Sequence, residues 1–225
     1  MFSKLQFWNF CEWCENTANW QHKYLGVIVD NKPSWKPQIS SLCGKLSQAC
    51  GVLCKIRHFA DIKILRLIYF SLFHSHLQYC IIDWGRAYKT VIQPAQVLQN
   101  RIVKYMTFSN RTSSASNIFK LLKILKVSDL YQPNLEKFMY KYNADIMPSS
   151  FDNFFSKLYN IHDHGTRQQV SGNFHHKRVR NDYGKKMLQY VAPVAWGVFP
   201  IIWKCYHYIR LQIKRNRECL LGIDS

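Results

Sequence analysis

The chain has 225 residues, enough for one large or two small domains. With 48% hydrophobic and 15% aromatic residues it can bury a core, which excludes disorder by composition. Its 31 Lys and Arg against 13 Asp and Glu give a formal net charge of +18, which points to a polyanion as partner, nucleic acid first, or to a merely basic soluble protein. The N-terminal stretch carries Glu12, Glu15 and three tryptophans by residue 20, unlike a secretory leader, so the eight cysteines do not suggest a disulfide scaffold. Reduced thiols in nucleus or cytoplasm are expected. The longest uncharged run, Met187 to Trp203, contains Pro193, Gly197 and Pro200. It falls short of the roughly 20 residues a spanning helix needs, so no membrane partner is expected.

Taken in chain order, residues 1–22 are aromatic and irregular. Tyr24 to Asp30 (YLGVIVD) is β-branched and apolar and predicts one strand, with a turn at Asn31 to Pro33. Pro37 suits an early helical position. From there Ile39, Leu42, Cys43, Leu46, Cys50, Leu53 and Ile56 recur at three and four, one apolar helical face ending near His58. Lys45 and Lys55 lie off the stripe. Asp61 is placed to cap a second helix. Its run at 67–85, LIYFSLFHSHLQYCIIDWG, is apolar nearly all round and predicts a central buried helix closed by Gly85. A third helix is predicted from Pro94, carrying Val97, Leu98, Ile102, Val103 and Met106. Three helices with short links form a bundle.

The polar stretch Thr107 to Ser116 is the expected domain boundary. Beyond it, short helices are predicted at 116–124, 128–145 and 151–158, then a basic loop at 159–184. A helical segment follows at Val191 to Val198, and a basic terminal helix at Lys204 to Leu221. The expected fold is mainly α. A short β segment in 1–36 precedes a three-helix bundle at 37–107, and a smaller basic helical domain with a long loop follows at 116–225.

Few constellations carry chemistry. Cys11 and Cys14 form a lone C-x-x-C, two ligands short of a zinc site, and aromatic-packed thiols are the plainer reading. His74 and His76 stand two apart on a predicted helix and point away from each other. His162, His164, His175 and His176 lie in the basic loop, where solvated or nucleic-acid-facing roles outweigh metal binding. Asp30, Asp61, Asp83, Asp129 and Asp145 are each isolated, and no two aspartates are adjacent. There is no P-loop and no G-x-G-x-x-G, so no cofactor is expected. Between His164 and Arg217, eleven Lys or Arg accompany one acid, Asp182. Within that stretch Arg167, Lys177, Arg178, Arg180, Lys185 and Lys186 are interleaved with Phe174, Tyr183 and Tyr190. That mixture suits phosphates met by cations and bases stacked on rings; the alternative is a basic loop packed on its own domain. Arg210, Lys214 and Arg215 on the terminal helix form a second candidate, or a solvated face.

Three blocks, in order, resemble the reverse transcriptases of LINE-type (non-LTR, jockey-like) retrotransposons. The first is KYLGVIVDNKPSW, with Tyr24-Leu25-Gly26, Asp30 and Trp35, similar to the passage from primer grip to thumb. The second holds Tyr79, Cys80, Trp84 and Gly85, where these enzymes carry a Tyr-Cys and a Trp-Gly pair. The third holds Thr166, Arg167, Arg178, Arg180, Gly184, Tyr190, Pro193, Trp196 and Pro200; Gly197 departs from the Asn that usually follows the Trp. The resemblance implies a remnant of the palm connection with primer-grip-like Tyr24, Leu25 and Gly26 in 1–36, a thumb-like bundle at 37–107 and a C-terminal domain, without fingers or palm. A palm needs far more than the 22 residues upstream of the first block, and the spacer between FCEWCENTANW and KYLGV is missing. The paired aspartates that would hold Mg²⁺ in the complete polymerase are absent, so no catalysis is expected. The implied role is a truncated fragment that contacts RNA or DNA without sequence specificity. The alternatives are a helper that supplies a thumb in trans to an intact reverse transcriptase, which is then a further partner, or a translated relic with no selected role.

Overall fold

The computed structural model describes residues 21–31, 34–110, 112–158, 173–176 and 178–198. The fold is mainly helical, with one short antiparallel hairpin at its N-terminal end. The chain divides into two compact units, with the cut between Tyr131 and Gln132.

The single strand expected over Tyr24 to Asp30 is in fact two. β1 (Gln21–Tyr24) and β2 (Val27–Asp30) pair with Tyr24 opposite Val27, and the chain reverses at Leu25-Gly26. Both turn residues have positive φ, 46° and 82°, as the two-residue turn that matches hairpin twist requires. Gly26 adopts this freely. A left-handed Leu25 is strained by roughly 1–2 kcal/mol and depends on contacts elsewhere. Asp30 then steers the chain into the first helix: its carboxylate accepts from the Ser34 amide at 3.3 Å and hydroxyl at 2.7 Å. Gln38 Oε1 accepts from the Ile28 amide at 2.8 Å, tying β2 to that helix.

The first helix, α1 (Lys36–Ile56), buries Ile39, Leu42, Leu46, Cys50 and Leu53, as their spacing predicts. The second begins where expected, with Asp61 Oδ1 accepting from the Ile62 amide at 2.7 Å. It is not one unbroken helix. α2 (Ile62–Ile68) passes through a π-helical segment, Tyr69–His74, into α3 (Ser75–Gln78). The chain then breaks at Tyr79-Cys80, with Cys80 at φ 51°, before the short α4 (Ile81–Trp84). Nor is this run buried all round. Leu65, Tyr69, Phe73 and Leu77 line the core at a spacing of four, while Leu67, Leu72 and Tyr79 are exposed. One helix among three offers a single face to the core, and its apolar content exceeds that face.

The third helix, α5 (Lys89–Met106), starts five residues before the expected Pro94, which is tolerated inside it. Leu98, Ile102, Val103 and Met106 are buried, whereas Val97 faces out. Helix directions follow from two contacts. Cys50 Sγ lies 3.8 Å from the Leu98 carbonyl, and the Arg57 guanidinium sits over the rings of Tyr105 at 5.6 Å and Phe108 at 4.8 Å. Both partners advance together, so α1 and α5 run parallel; α2 follows α1 after the turn at Arg57–Ala60.

The expected boundary at 107–116 lies inside this unit. After that connection, α6 (Ser116–Leu121) and the start of α7 (Val127–Asn143) add Ile118, Phe119, Leu122, Ile124, Val127 and Leu130 to the same core. Gln99 holds the segment between these helices. Its buried amide donates to the Tyr69 hydroxyl at 2.9 Å and the Leu125 carbonyl at 2.8 Å. Its oxygen accepts from the Val127 amide at 2.9 Å and from Gln96 Nε2 at 3.1 Å. Those four bonds fill the capacity of a carboxamide.

The second unit is organised by aromatic rings. Leu135 and Met139 of α7 are fully buried. Tyr142 clamps Phe155: its hydroxyl accepts from the Phe155 amide and donates to the Phe155 carbonyl, both at 3.0 Å. The helix expected at 151–158 is absent. A 3-10 turn, Ser149–Phe151, is followed by irregular chain that bridges Lys157 to Phe174. Aromatic content there serves edge-on ring packing among Phe138, Phe151, Phe154 and Phe155, which needs no helical spacing. The expected loop at 159–184 lies outside the described residues up to 172, and its end contains the short α8 (Asp182–Lys186). α9 (Leu188–Val198) buries Val191, Ala192, Pro193 and Trp196. The terminal helix expected at Lys204 to Leu221 lies outside the described residues.

Candidate nucleic-acid interface

Of the basic residues singled out by the sequence, Arg167, Lys177, Arg210, Lys214 and Arg215 lie outside the described residues, as does the side chain of Tyr183. The remaining four lie around α8. Arg178 and Arg180 are exposed on either side of a partly buried Val179, an alternation typical of extended chain. Val179 packs where only glycine fits: a Cβ on Gly184 would lie 2.0 Å from Val179 Cγ1. The contact turns both guanidinium-bearing residues outward. Asn181 caps α8, its Oδ1 accepting from the Gly184 amide at 2.8 Å. Lys185 is exposed, with Nζ 3.6 Å from Asp182 Oδ1, an ion pair that solvent weakens. Lys186 differs, because its ammonium is out of contact with solvent. Three cations of the four therefore face water.

The interleaved rings behave differently from the expectation. Phe174 is a core residue, packed on Tyr142, Phe155 and Trp196 at 5.6, 5.9 and 5.9 Å, and has no face left for a base. Tyr190 is half-buried and meets His176 edge-on at 5.7 Å. Gly197 has ordinary room, with Asn173 Nδ2 at 3.8 Å from a Cβ placed there.

The first two sequence blocks come together in space. The Tyr79 hydroxyl donates to the Leu25 carbonyl, across 54 residues of chain. A Cβ on Gly26 would lie 3.9 Å from the Tyr79 ring. Tyr79 is itself fixed from behind: fully buried Trp84 donates its indole N–H to the Tyr79 carbonyl at 2.9 Å. Gly85 follows because there is no space for more, a Cβ there meeting the Ile81 carbonyl at 2.4 Å and the Tyr131 ring at 2.8 Å. Burial pushes the Tyr131 hydroxyl up to about 12, against the opposing pull of Arg86, whose guanidinium sits 5.8 Å from the ring centre. Trp84, Tyr79 and Leu25 thus form a relay that supports a strained turn. Tyr24 and Leu25 are left exposed at the tip, beside exposed Lys23.

A further cluster was not legible as a site. At the ends of α1 and α5, Arg57 faces Tyr105 and Phe108, and His58 meets Phe108 edge-on at 5.5 Å. The only sequence signal is Phe59, a large apolar residue in a turn between His58 and Asp61.

Among the described residues, no three His, Cys, Asp or Glu side chains are grouped as a metal site would need, and no helix is long and apolar enough to cross a membrane. Comparison with models of known protein families, with characterised proteins and with solved structures finds no match.

Proposed function

We propose that this chain corresponds to the thumb-like and following part of a LINE-type reverse transcriptase, and that it contacts RNA or DNA through the backbone without sequence preference. The observation that carries the reading is the contact of the Leu25-Gly26 turn with Tyr79. Two blocks chosen by resemblance alone, 54 residues apart, share one hydrogen bond. Charge supports the same reading: residues 21–131 hold sixteen Lys and Arg against four Asp and no Glu. Three of those acids are engaged locally, Asp30 with Ser34, Asp61 with the start of α2 and Asp129 with Ser128. Without paired aspartates these residues do not extend a primer by themselves.

The test is fluorescence anisotropy with labelled oligonucleotides over a salt series. Affinity should fall with a log–log slope of about −0.7 per phosphate contact on single strands. Replacing Arg178, Arg180 and Lys185 together by Ala should flatten the slope by roughly two units, with little change in sequence preference. An unchanged slope in a folded variant would remove α8 and its approach from the interface. No salt-dependent binding at all would overturn the function.

A further inference from the structure

We propose that the end of the first unit where α1 and α5 both finish is a stacking site for unpaired bases of single-stranded RNA or DNA, built on Phe59 and Phe108. This rests on the nucleic-acid reading above and adds where bases, as distinct from phosphates, are held. Phe59 is 90% exposed and Phe108 57% exposed. Phe59 has no ring partner among the described residues and adds nothing to the core. Phe108 sits at φ 52°, a costly conformation for a bulky residue. It is backed by Arg57 at 4.8 Å and edged by His58 at 5.5 Å. Exposed rings beside a guanidinium stack any base, because every base has a π face.

The surrounding charge selects the partner. α1 and α5 contain no acid, and Lys55, Arg101 and Lys104 lie toward the end where both finish, with Arg57 just beyond α1. The acid next in sequence, Asp61, is occupied as a helix cap. Cations set among isolated rings suit a polyanion with apolar bases better than an apolar protein surface, which would call for a continuous patch. Duplex DNA or RNA keeps its bases stacked and offers these rings nothing.

The decisive variant is Phe59→Ala in the full chain, because a side chain this exposed is not needed for folding. Anisotropy would be measured with RNA and DNA single strands of about 12 nucleotides, and with a duplex of equal length. Single-strand affinity should fall by roughly 5- to 150-fold for one lost stack. Duplex affinity and the salt slope should not change, since no phosphate contact is removed. Phe59→Trp should retain single-strand affinity. If Phe59→Ala leaves single-strand affinity intact while the Arg178, Arg180, Lys185 variant weakens it, this site is wrong and the nucleic-acid reading survives. If Phe59→Ala instead changes self-association in sedimentation velocity without changing single-strand affinity, the rings form a protein contact and the proposal fails. If the unaltered chain binds no strand, both readings fall.

Discussion

Replacing Gln99 by Met removes a buried carboxamide while nearly conserving side-chain volume, so the effect isolates hydrogen bonding from packing. Of the four groups bonded to Gln99, the Val127 amide has a second acceptor in Gln96 Oε1 at 3.1 Å, and Gln96 Nε2 has another in Asn100 at 3.0 Å. The Leu125 carbonyl and the Tyr69 hydroxyl lose the partner described for them. A buried polar group left unpaired costs about 1–3 kcal/mol, so the expected loss is roughly 2–6 kcal/mol. With urea m-values of about 1–3 kcal/mol/M, a loss near 3 kcal/mol lowers the midpoint by roughly 1–3 M. Gln99→Glu should be worse at neutral pH, because a carboxylate cannot donate to Leu125, and should partly recover in acid as the carboxyl is protonated. Tyr69→Phe combined with Gln99→Met should cost less than the sum of the two, with a coupling of about 0.5–3 kcal/mol. A Gln99→Met midpoint within experimental error of the unaltered chain would refute the argument, since it would mean that these groups reach water or rearrange freely.

Two other perturbations test different links. Gly184→Ala should destabilise the second unit by about 1–3 kcal/mol through overpacking against Val179, read as faster limited proteolysis. Val179→Ala in the same chain should restore part of the resistance, because Asn181 Oδ1 still lies 2.8 Å from the added Cβ; no rescue at all would take Val179 out of the clash. Alkaline pH should unfold the first unit. Burial pushes the Cys50 thiol up to about 11 and the Tyr131 hydroxyl up to about 12, and raises Tyr69 further. Folded values above unfolded ones mean that this stability is full below about pH 8.5 and is lost as pH rises through the folded values. Circular dichroism against pH should show a plateau up to about 8.5 and a decline beyond it. Native Cys50 should resist alkylation at pH 8 and react on unfolding.

Helix spacing was readable because burial in a bundle repeats with the helix. Ile39, Leu42, Leu46, Cys50 and Leu53 lie on the core face they predict. What failed was decided by backbone chirality or by long-range packing. The hairpin depends on a left-handed Leu25, a conformation no propensity assigns to leucine. The break at Cys80 hides in an apolar run because hydrophobicity says nothing of φ. The extent of the first unit was misjudged because the polar stretch at 107–116 looked like a linker, whereas its continuity with α7 depends on Gln99, 26 residues from the carbonyl it binds. For the candidate site, Arg178, Arg180 and Lys185 were legible as exposed cations from charge density. Phe174 was not legible as core, because a ring between basic residues looks the same whether it stacks on a base or on Trp196.

The hairpin has a kinetic consequence. Two strands of four residues are at best marginally stable alone in water, and this pair turns through a strained leucine. Its supports come from Gln38 on α1 and Tyr79 beyond α3. It therefore cannot be an early folding nucleus; it forms once the bundle has placed both supports, and is the first element to open when either is withdrawn. Amide exchange at Ile28 would then report the local opening of the tip, at a lower free energy than the global unfolding reported by amides in the middle of α1.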